Sequence, residues 1–413
     1  MKSLYIHFPF CSSICNYCDF YKLSVAGSSS KERRRLFNEY AEYLKASYLK
    51  LQQLYLGSAL APQEWGGDPL ETVYIGGGSP ILWQEAGVAF IKEFFTTSGQ
   101  CLDLVNGYEF TLEINPFYTG DANGDGDSGN IETQFGVIEQ WIDVGVNRFS
   151  LGVQTIDPER YSYLGRKYRL KDVFRIMDFF ARHKINYSID LLLGIPLHTS
   201  CSFSPYQMKN QLDHLMEFAP NHISAYILTP PKHYPDNLLQ RLPTEDYIRE
   251  EYLFLSEYLR SKGYLHYEVS NFALPDKRSQ HNLRYWRWQS VAAIGPSATG
   301  FLVLSESKAQ AIRYKWQNKW RGELGPDAME IEMLFDSESW LERFYLCLRT
   351  DMGLDPAKFF EGEELQKFHD LLEMWEKRSY LCSRIPLVRL SPLGYLMLDS
   401  LMDELFSRSI IKK

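Results

Sequence analysis

No run of apolar residues in this chain approaches the ~18 that a membrane-spanning helix needs. No apolar leader stands at the start either. Lys2 and Ser3 run directly into an alternating segment, so no secretory signal is expected and the cytoplasm is the predicted location. Basic charge is scarce, with 44 Lys and Arg against 52 Asp and Glu, and the net charge of −8 argues against nucleic acid as a partner. The one basic run, KERRR (31–35), reads as the solvated start of a helix. There is no internal repeat and no even set of cysteines. Seven cysteines, three of them clustered, do not make a secreted disulfide framework. The other four, Cys101, Cys201, Cys347 and Cys382, are expected to be buried as small hydrophobes.

The chain has 413 residues, 45% hydrophobic and 23% charged, enough for one barrel-sized domain and a smaller one. Strand and helix patterns alternate through its first three quarters. SLYIHF (3–8), TVYIGGG (72–78), YEFTLEI (108–114), RFSLGVQ (148–154), YSIDLLLGIP (187–196) and HISAYIL (222–228) are the strands. Helical spacing separates most of them, beginning with Leu36, Tyr40, Tyr43, Leu44, Ser47, Leu51 and Leu54 in the segment 34–55. Six strands with intervening helices predict an α/β fold, a parallel sheet closing into a partial (β/α)6 barrel, with chemistry at the strand ends. Beyond about residue 305 the pattern turns mostly helical, which predicts domains at 1–304 and 305–413.

Cys11, Cys15 and Cys18 stand in C-x3-C-x2-C spacing with no fourth cysteine nearby. Three thiolates suit three irons of a 4Fe–4S cluster whose fourth iron stays open to another ligand. A zinc ion completed by His7 or a distant residue is the alternative on spacing alone. With an aromatic, Tyr17, before the last cysteine and GGGSP at 76–80, the chain resembles the radical S-adenosylmethionine enzymes.

The motifs LYIHFPFC…CNYCDF, VYIGGGSP, EINP, NRFSLGVQTID, LGRKY and IDLLLGIP follow in the order of the coproporphyrinogen dehydrogenase-like group. HNLRYW (281–286) and GPSATG (295–300) extend the match to the HemW-type heme chaperones, over nearly the whole chain. The resemblance implies a radical S-adenosylmethionine barrel with a C-terminal coproporphyrinogen dehydrogenase-like domain. It implies that Cys11, Cys15 and Cys18 hold the cluster, and that Tyr5, Tyr17, Gly77, Gly78, Ser79, Glu113, Gln154, Arg166 and Asp190 line an S-adenosylmethionine site. Glu113 would meet the ammonium, Arg166 the carboxylate, and Gln154 and Asp190 the ribose hydroxyls. It further implies heme as ligand, with His281 a candidate axial ligand and Tyr285 and Trp286 stacking on the macrocycle.

Two features separate the chaperones from the dehydrogenase of that group: Phe20 stands where it carries a further cysteine, and Tyr5 is already the fifth residue where it has a long N-terminal extension. They favour a heme carrier, and the alternative is an oxygen-independent coproporphyrinogen III dehydrogenase that decarboxylates porphyrin propionates by radical chemistry. Implied partners are heme-acceptor proteins of the respiratory chain, with room for transient contact with a membrane surface and for a homodimer. Ser79 replaces the usual Thr, Tyr168 lies near a position often held by His, and Thr299 stands where many of these chaperones carry His. An insertion at 121–132 fits a calcium-loop template through Asp121, Asn123, Asp125, Gly126, Asp127 and Glu132. It lacks a preceding helix and has Ser128 at an apolar position, so a solvated acidic insertion is expected.

Overall fold

The computed structural model describes residues 1–56, 68–116, 131–197, 202–305, 310–322 and 324–411. Most of the 121–132 insertion, and Cys201, lie outside these. The six expected strands form: β1 (Ser3–Phe8), β2 (Thr72–Gly77), β3 (Glu109–Ile114), β4 (Arg148–Gln154), β5 (Tyr187–Leu193) and β6 (His222–Ile227). A hairpin of β7 (Leu265–Glu268) and β8 (Asn271–Ala273) follows, and then β9 (Ala292–Ile294). The sheet order is β9-β1-β2-β3-β4-β5-β6-β8-β7. The first seven strands in that order are parallel, and β8 and β7 close the far edge antiparallel. The edge strand β9 is three residues long, too short for a periodic signal, so the pattern along the sequence does not reveal it.

Each barrel strand splits its two faces by chemistry. Leu4, Ile6 and Phe8, Val73 and Ile75, Phe110 and Leu112, Phe149 and Leu151, and Ile189 point outward and are fully buried under the helices. The alternate residues are Ser3, Tyr5, His7, Thr72, Tyr74, Glu109, Thr111, Glu113, Arg148, Ser150, Ser188, Asp190, His222 and Ser224. A parallel sheet is ordinarily apolar on both faces. Here the inner face is polar, which suits a liganded interior and not a packed one.

The outer layer is built by α1 (Ser30–Leu56), α2 (Gln84–Thr97), α3 (Ile131–Asp143), α4 (Leu170–Arg182), α5 (Pro205–Met216) and α6 (Glu245–Ser261). In α4 the spacing of Val173, Ile176, Met177 and Phe180 turns one apolar stripe to the sheet. Ser29 and Glu32 open α1 as a capping box, with the Ser29 amide donating to Glu32 Oε2 at 2.8 Å. Glu132, the last residue of the acidic insertion, lies in the first turn of α3 and pairs with Arg175.

A seventh helix, α7 (Gln280–Trp286), carries HNLRYW. The three-stranded antiparallel sheet of β10 (Thr299–Ser305), β11 (Gln310–Trp316) and β12 (Met329–Leu334) follows, so the position 304/305 falls inside a paired strand. Helices dominate the remainder, at Asp336–Leu348, Gly362–Lys377, Pro392–Leu396 and Leu398–Ser407. One continuous apolar core runs from Leu4 and Trp83 in the barrel to Phe344, Trp375 and Leu401 at the C-terminal end.

Two of the scattered cysteines differ from expectation. Cys101 and Cys382 are exposed, the first in the turn after α2 and the second on a short edge strand, and Cys347 is half-buried. Among the described residues no helix is long and apolar enough to cross a membrane.

Candidate functional site

The cysteine loop leaves the C-terminal end of β1 and is pinned at both ends. Phe10 and Cys11 pair with Leu23 and Ser24, and the Val25 amide donates to the Cys11 carbonyl at 2.9 Å. Midway, Asn16 donates through its backbone to the Leu164 carbonyl at 3.2 Å and through its side chain to the Tyr163 carbonyl at 3.3 Å. That contact sets the loop against the turn that carries Arg166. Lys22 reaches back to the carbonyls of Cys18 and Phe20. Burial, with Cys18 and Cys15 alongside, pushes the Cys11 thiol up to about 12, and burial raises Cys18 as well. Positive metal charge would reverse that balance and favour thiolates.

The three cysteines open onto a cavity of about 400 Å³ at the strand C-termini. Tyr17, Gly77, Gly78, Ser79, Glu113, Gln154, Arg166 and Asp190 line it with them. Of the residues expected around S-adenosylmethionine, only Tyr5 faces elsewhere. Sequence separations of more than 170 residues are thus brought to one mouth by the parallel topology.

Each polar group has a defined support. Glu113 Oε1 accepts from the Tyr74 hydroxyl at 2.8 Å and Oε2 from the Gly77 amide at 2.9 Å. Burial raises the Glu113 carboxyl to about 7, against the lowering effect of those two donors. Arg166 donates one amine to Asn115 Oδ1, while its Nε and Nη1 are buried and have no partner among the described residues. Its guanidinium lies over the ring of Tyr168, 5.0 Å from the centroid. A buried arginine with donors in reserve is a ready seat for a carboxylate. Asp190 accepts from the Ser150 hydroxyl at 2.9 Å and its carboxyl is raised by burial. Gln154 ends β4 with φ of 66°, where the register with β5 shifts.

The glycines are held by their own neighbours. A Cβ on Gly77, whose φ is +110°, would stand 2.4 Å from the His7 ring. His7 itself is committed. Its Nε2 meets the Tyr21 carbonyl at 3.0 Å, which can only accept, so Nδ1 accepts from the Tyr5 hydroxyl at 3.0 Å. Neither nitrogen is left for a metal. Among the described residues no three His, Cys, Asp or Glu side chains converge to hold a single ion. A zinc centre completed by His7 therefore has no geometric support, whereas thiolates that each take a different iron of a cluster need no common point.

A second cavity, of about 660 Å³, adjoins the first; Asp19, Phe20, Tyr74, Glu113 and Tyr226 line both. Here lie Tyr5, His281, Tyr285 and Trp286. His281 is buried, with Nδ1 2.9 Å from Thr72 Oγ1 and no partner for Nε2 among the described residues. Burial first, then Arg148, pushes its imidazole down to about 3, so it is neutral at pH 7. The rings of Tyr74, Tyr285 and Tyr5 surround it at centroid distances of 5.2, 5.6 and 6.4 Å. Trp286 has the Arg349 guanidinium over its ring at 4.0 Å. Glu109, the first residue of β3, anchors α7: its carboxylate accepts from the amides of Gln280 and His281, both at 2.9 Å.

Tyr74, Asn115 and Glu109 escaped the sequence reading. Tyr74 and Glu109 occupy inward positions of their strands, and the alternation of polar with apolar residues is the signal that marks them. Asn115 is the Asn of EINP.

Residues 5–204 match the Radical SAM superfamily. The chain is 31% identical to the heme chaperone HemW of Lactococcus lactis, over 87% of this chain and 84% of that one. HemW of Bacillus subtilis is 29% identical over 87% and 86% of the respective chains. The mitochondrial radical S-adenosyl methionine domain-containing protein 1 of Bos taurus is 28% identical over 98% and 87%. Among solved structures, the coproporphyrinogen III oxidase HemN of Escherichia coli, a radical SAM enzyme, superposes with a TM-score of 0.71 at 16% identity, covering 97% of this chain and 88% of that one. That likeness is one of fold. With its three-cysteine loop, its largely parallel barrel and relatives of this extent, the chain belongs to the HemW heme chaperone family of the radical SAM superfamily.

Proposed function

We propose that this protein is a cytoplasmic heme carrier that binds a 4Fe–4S cluster and S-adenosylmethionine beside the heme and passes heme to acceptor proteins. The observation that carries the reading is the second cavity: an aromatic chamber with a neutral, buried imidazole whose Nε2 has no partner among the described residues, sharing a wall with the thiol-lined cavity. When Nδ1 holds the proton and donates to Thr72, Nε2 keeps a free lone pair suited to a heme iron.

In the first cavity Cys11, Cys15 and Cys18 would hold the cluster, which with S-adenosylmethionine supplies one-electron chemistry when bound. The chain's own part is placement. Arg166 receives the methionine carboxylate on its free donors, Glu113 orients the ammonium, and Asp190 and Gln154 take ribose hydroxyls. The strands from β1 to β9 act as the cofactor-binding barrel. The segment from β10 onward closes the heme cavity through Thr299, Phe301, Arg313, Lys315, Glu342 and Leu346.

The test is heme titration of the anaerobically reconstituted protein, followed by its visible spectrum, for wild type and His281→Ala. Stoichiometric binding that weakens in the variant supports the reading. Absence of binding in both, or sustained formation of 5′-deoxyadenosine with conversion of coproporphyrinogen III to protoporphyrinogen, would overturn it.

A further inference from the structure

The heme cavity has two unlike walls. The barrel side presents Tyr5, Tyr74 and His281; the facing side is the β10–β11 ladder, which contributes Thr299, Phe301, Arg313 and Lys315. Arg313 and Lys315 are the lysine and arginine side chains among its lining residues, and they differ in availability. Arg313 is committed to two carboxylates, Glu332 at 2.8 Å and Glu342 at 2.6 Å. Lys315 makes no ion pair or side-chain hydrogen bond with any described residue, although Glu330 stands opposite it on β12.

Thr299 is the direct cross-strand partner of Lys315, and both side chains are exposed. Side chains so paired have Cβ atoms about 4.5–5.5 Å apart. A hydroxyl and an ammonium at that spacing can each donate to one oxygen of a carboxylate. Phe301, two residues along β10, carries the same face on toward the aromatic chamber.

We propose that Thr299 and Lys315 form the carboxylate-binding edge of this cavity and take a propionate of the bound porphyrin. The assignment rests on the reading of the cavity as a heme site and adds to it the end at which the acid groups lie. It also gives Thr299 a role: the edge recognises acid groups through a hydroxyl and a cation, leaving iron ligation to another wall.

The reconstituted full-length protein is titrated with iron protoporphyrin IX and with its dimethyl ester, in which both propionates are masked. Soret absorbance and tryptophan fluorescence give the two affinities. Wild type should prefer the free acid by about tenfold. Lys315→Gln should bring that ratio close to one with ester affinity unchanged, which also shows that the variant is folded, and Thr299→Val should reduce it in part. S-adenosylmethionine affinity should be the same in Lys315→Gln and wild type, assigning the lysine to the porphyrin acid and not to the methionine carboxylate. A ratio unchanged by Lys315→Gln, or a loss confined to S-adenosylmethionine, overturns the inference and leaves the heme reading standing. Wild type that binds neither porphyrin overturns both.

Discussion

Glu113 offers the sharpest thermodynamic test of the cluster cavity. Glu113 is half-buried, its carboxyl held between the Tyr74 hydroxyl and the Gly77 amide, and desolvation there lifts it from an ordinary 4.5 to about 7. The folded chain therefore keeps this proton through a range in which the unfolded chain has released it. Stability from this group is whole below pH 4.5 and is lost as pH rises through 7. Retaining a proton over that interval corresponds to about 3 kcal/mol. Glu113→Gln keeps the shape and removes the titration. Urea unfolding of cluster-free wild type and Glu113→Gln at pH 5, 6, 7 and 8 isolates the term, because all other groups cancel in the difference. Wild type should lose stability relative to the variant across that range, by about 3 kcal/mol in total. Saturation with S-adenosylmethionine should flatten the slope, since an ammonium on the carboxylate favours its charged form. Parallel curves from pH 5 to 8 would refute the raised, protonated carboxyl.

Two further substitutions probe the frame. Gly77→Ala must set a Cβ against His7 at a φ of +110° and should destabilise by roughly 2–4 kcal/mol, read as an earlier urea midpoint; a shift within error would mean that the loop can move away. Glu109→Ala removes the anchor of α7 and strips buried Arg148 of its nearest carboxylate, 3.9 Å away, so a loss of about 3 kcal/mol or more is expected in thermal or urea unfolding, with Glu109→Gln milder.

The sequence was legible where strands were long and their ends bore motifs. All six barrel strands, the helix over 34–55 and the convergence of the strand ends on one mouth follow from periodicity and topology, whereas Arg166 and Asp190 are pointed to by the family resemblance alone. The β9 strand did not, because three residues carry no period and its pairing with β1 spans nearly 290 residues of chain. Nor did the exposure of Cys101 and Cys382, which depends on how a turn and an edge strand sit, not on residue type. Tyr5 belongs to the group implied for S-adenosylmethionine yet faces the second cavity, because it shares an inward row with Tyr74 and His7. His7 offered itself as a metal ligand in the sequence; only its two hydrogen bonds show that it is spent.

The division of each barrel strand into an apolar outward row and a polar inward row has a consequence for how such a chain can change. Folding instructions occupy one set of alternate letters, and ligand chemistry the other. Substitutions at Thr111, Ser150 or Ser224 can remodel what the barrel holds while Leu112, Leu151 and Ile223 go on specifying the same scaffold. A one-residue insertion within any of these strands would exchange the two scripts and destroy both at once.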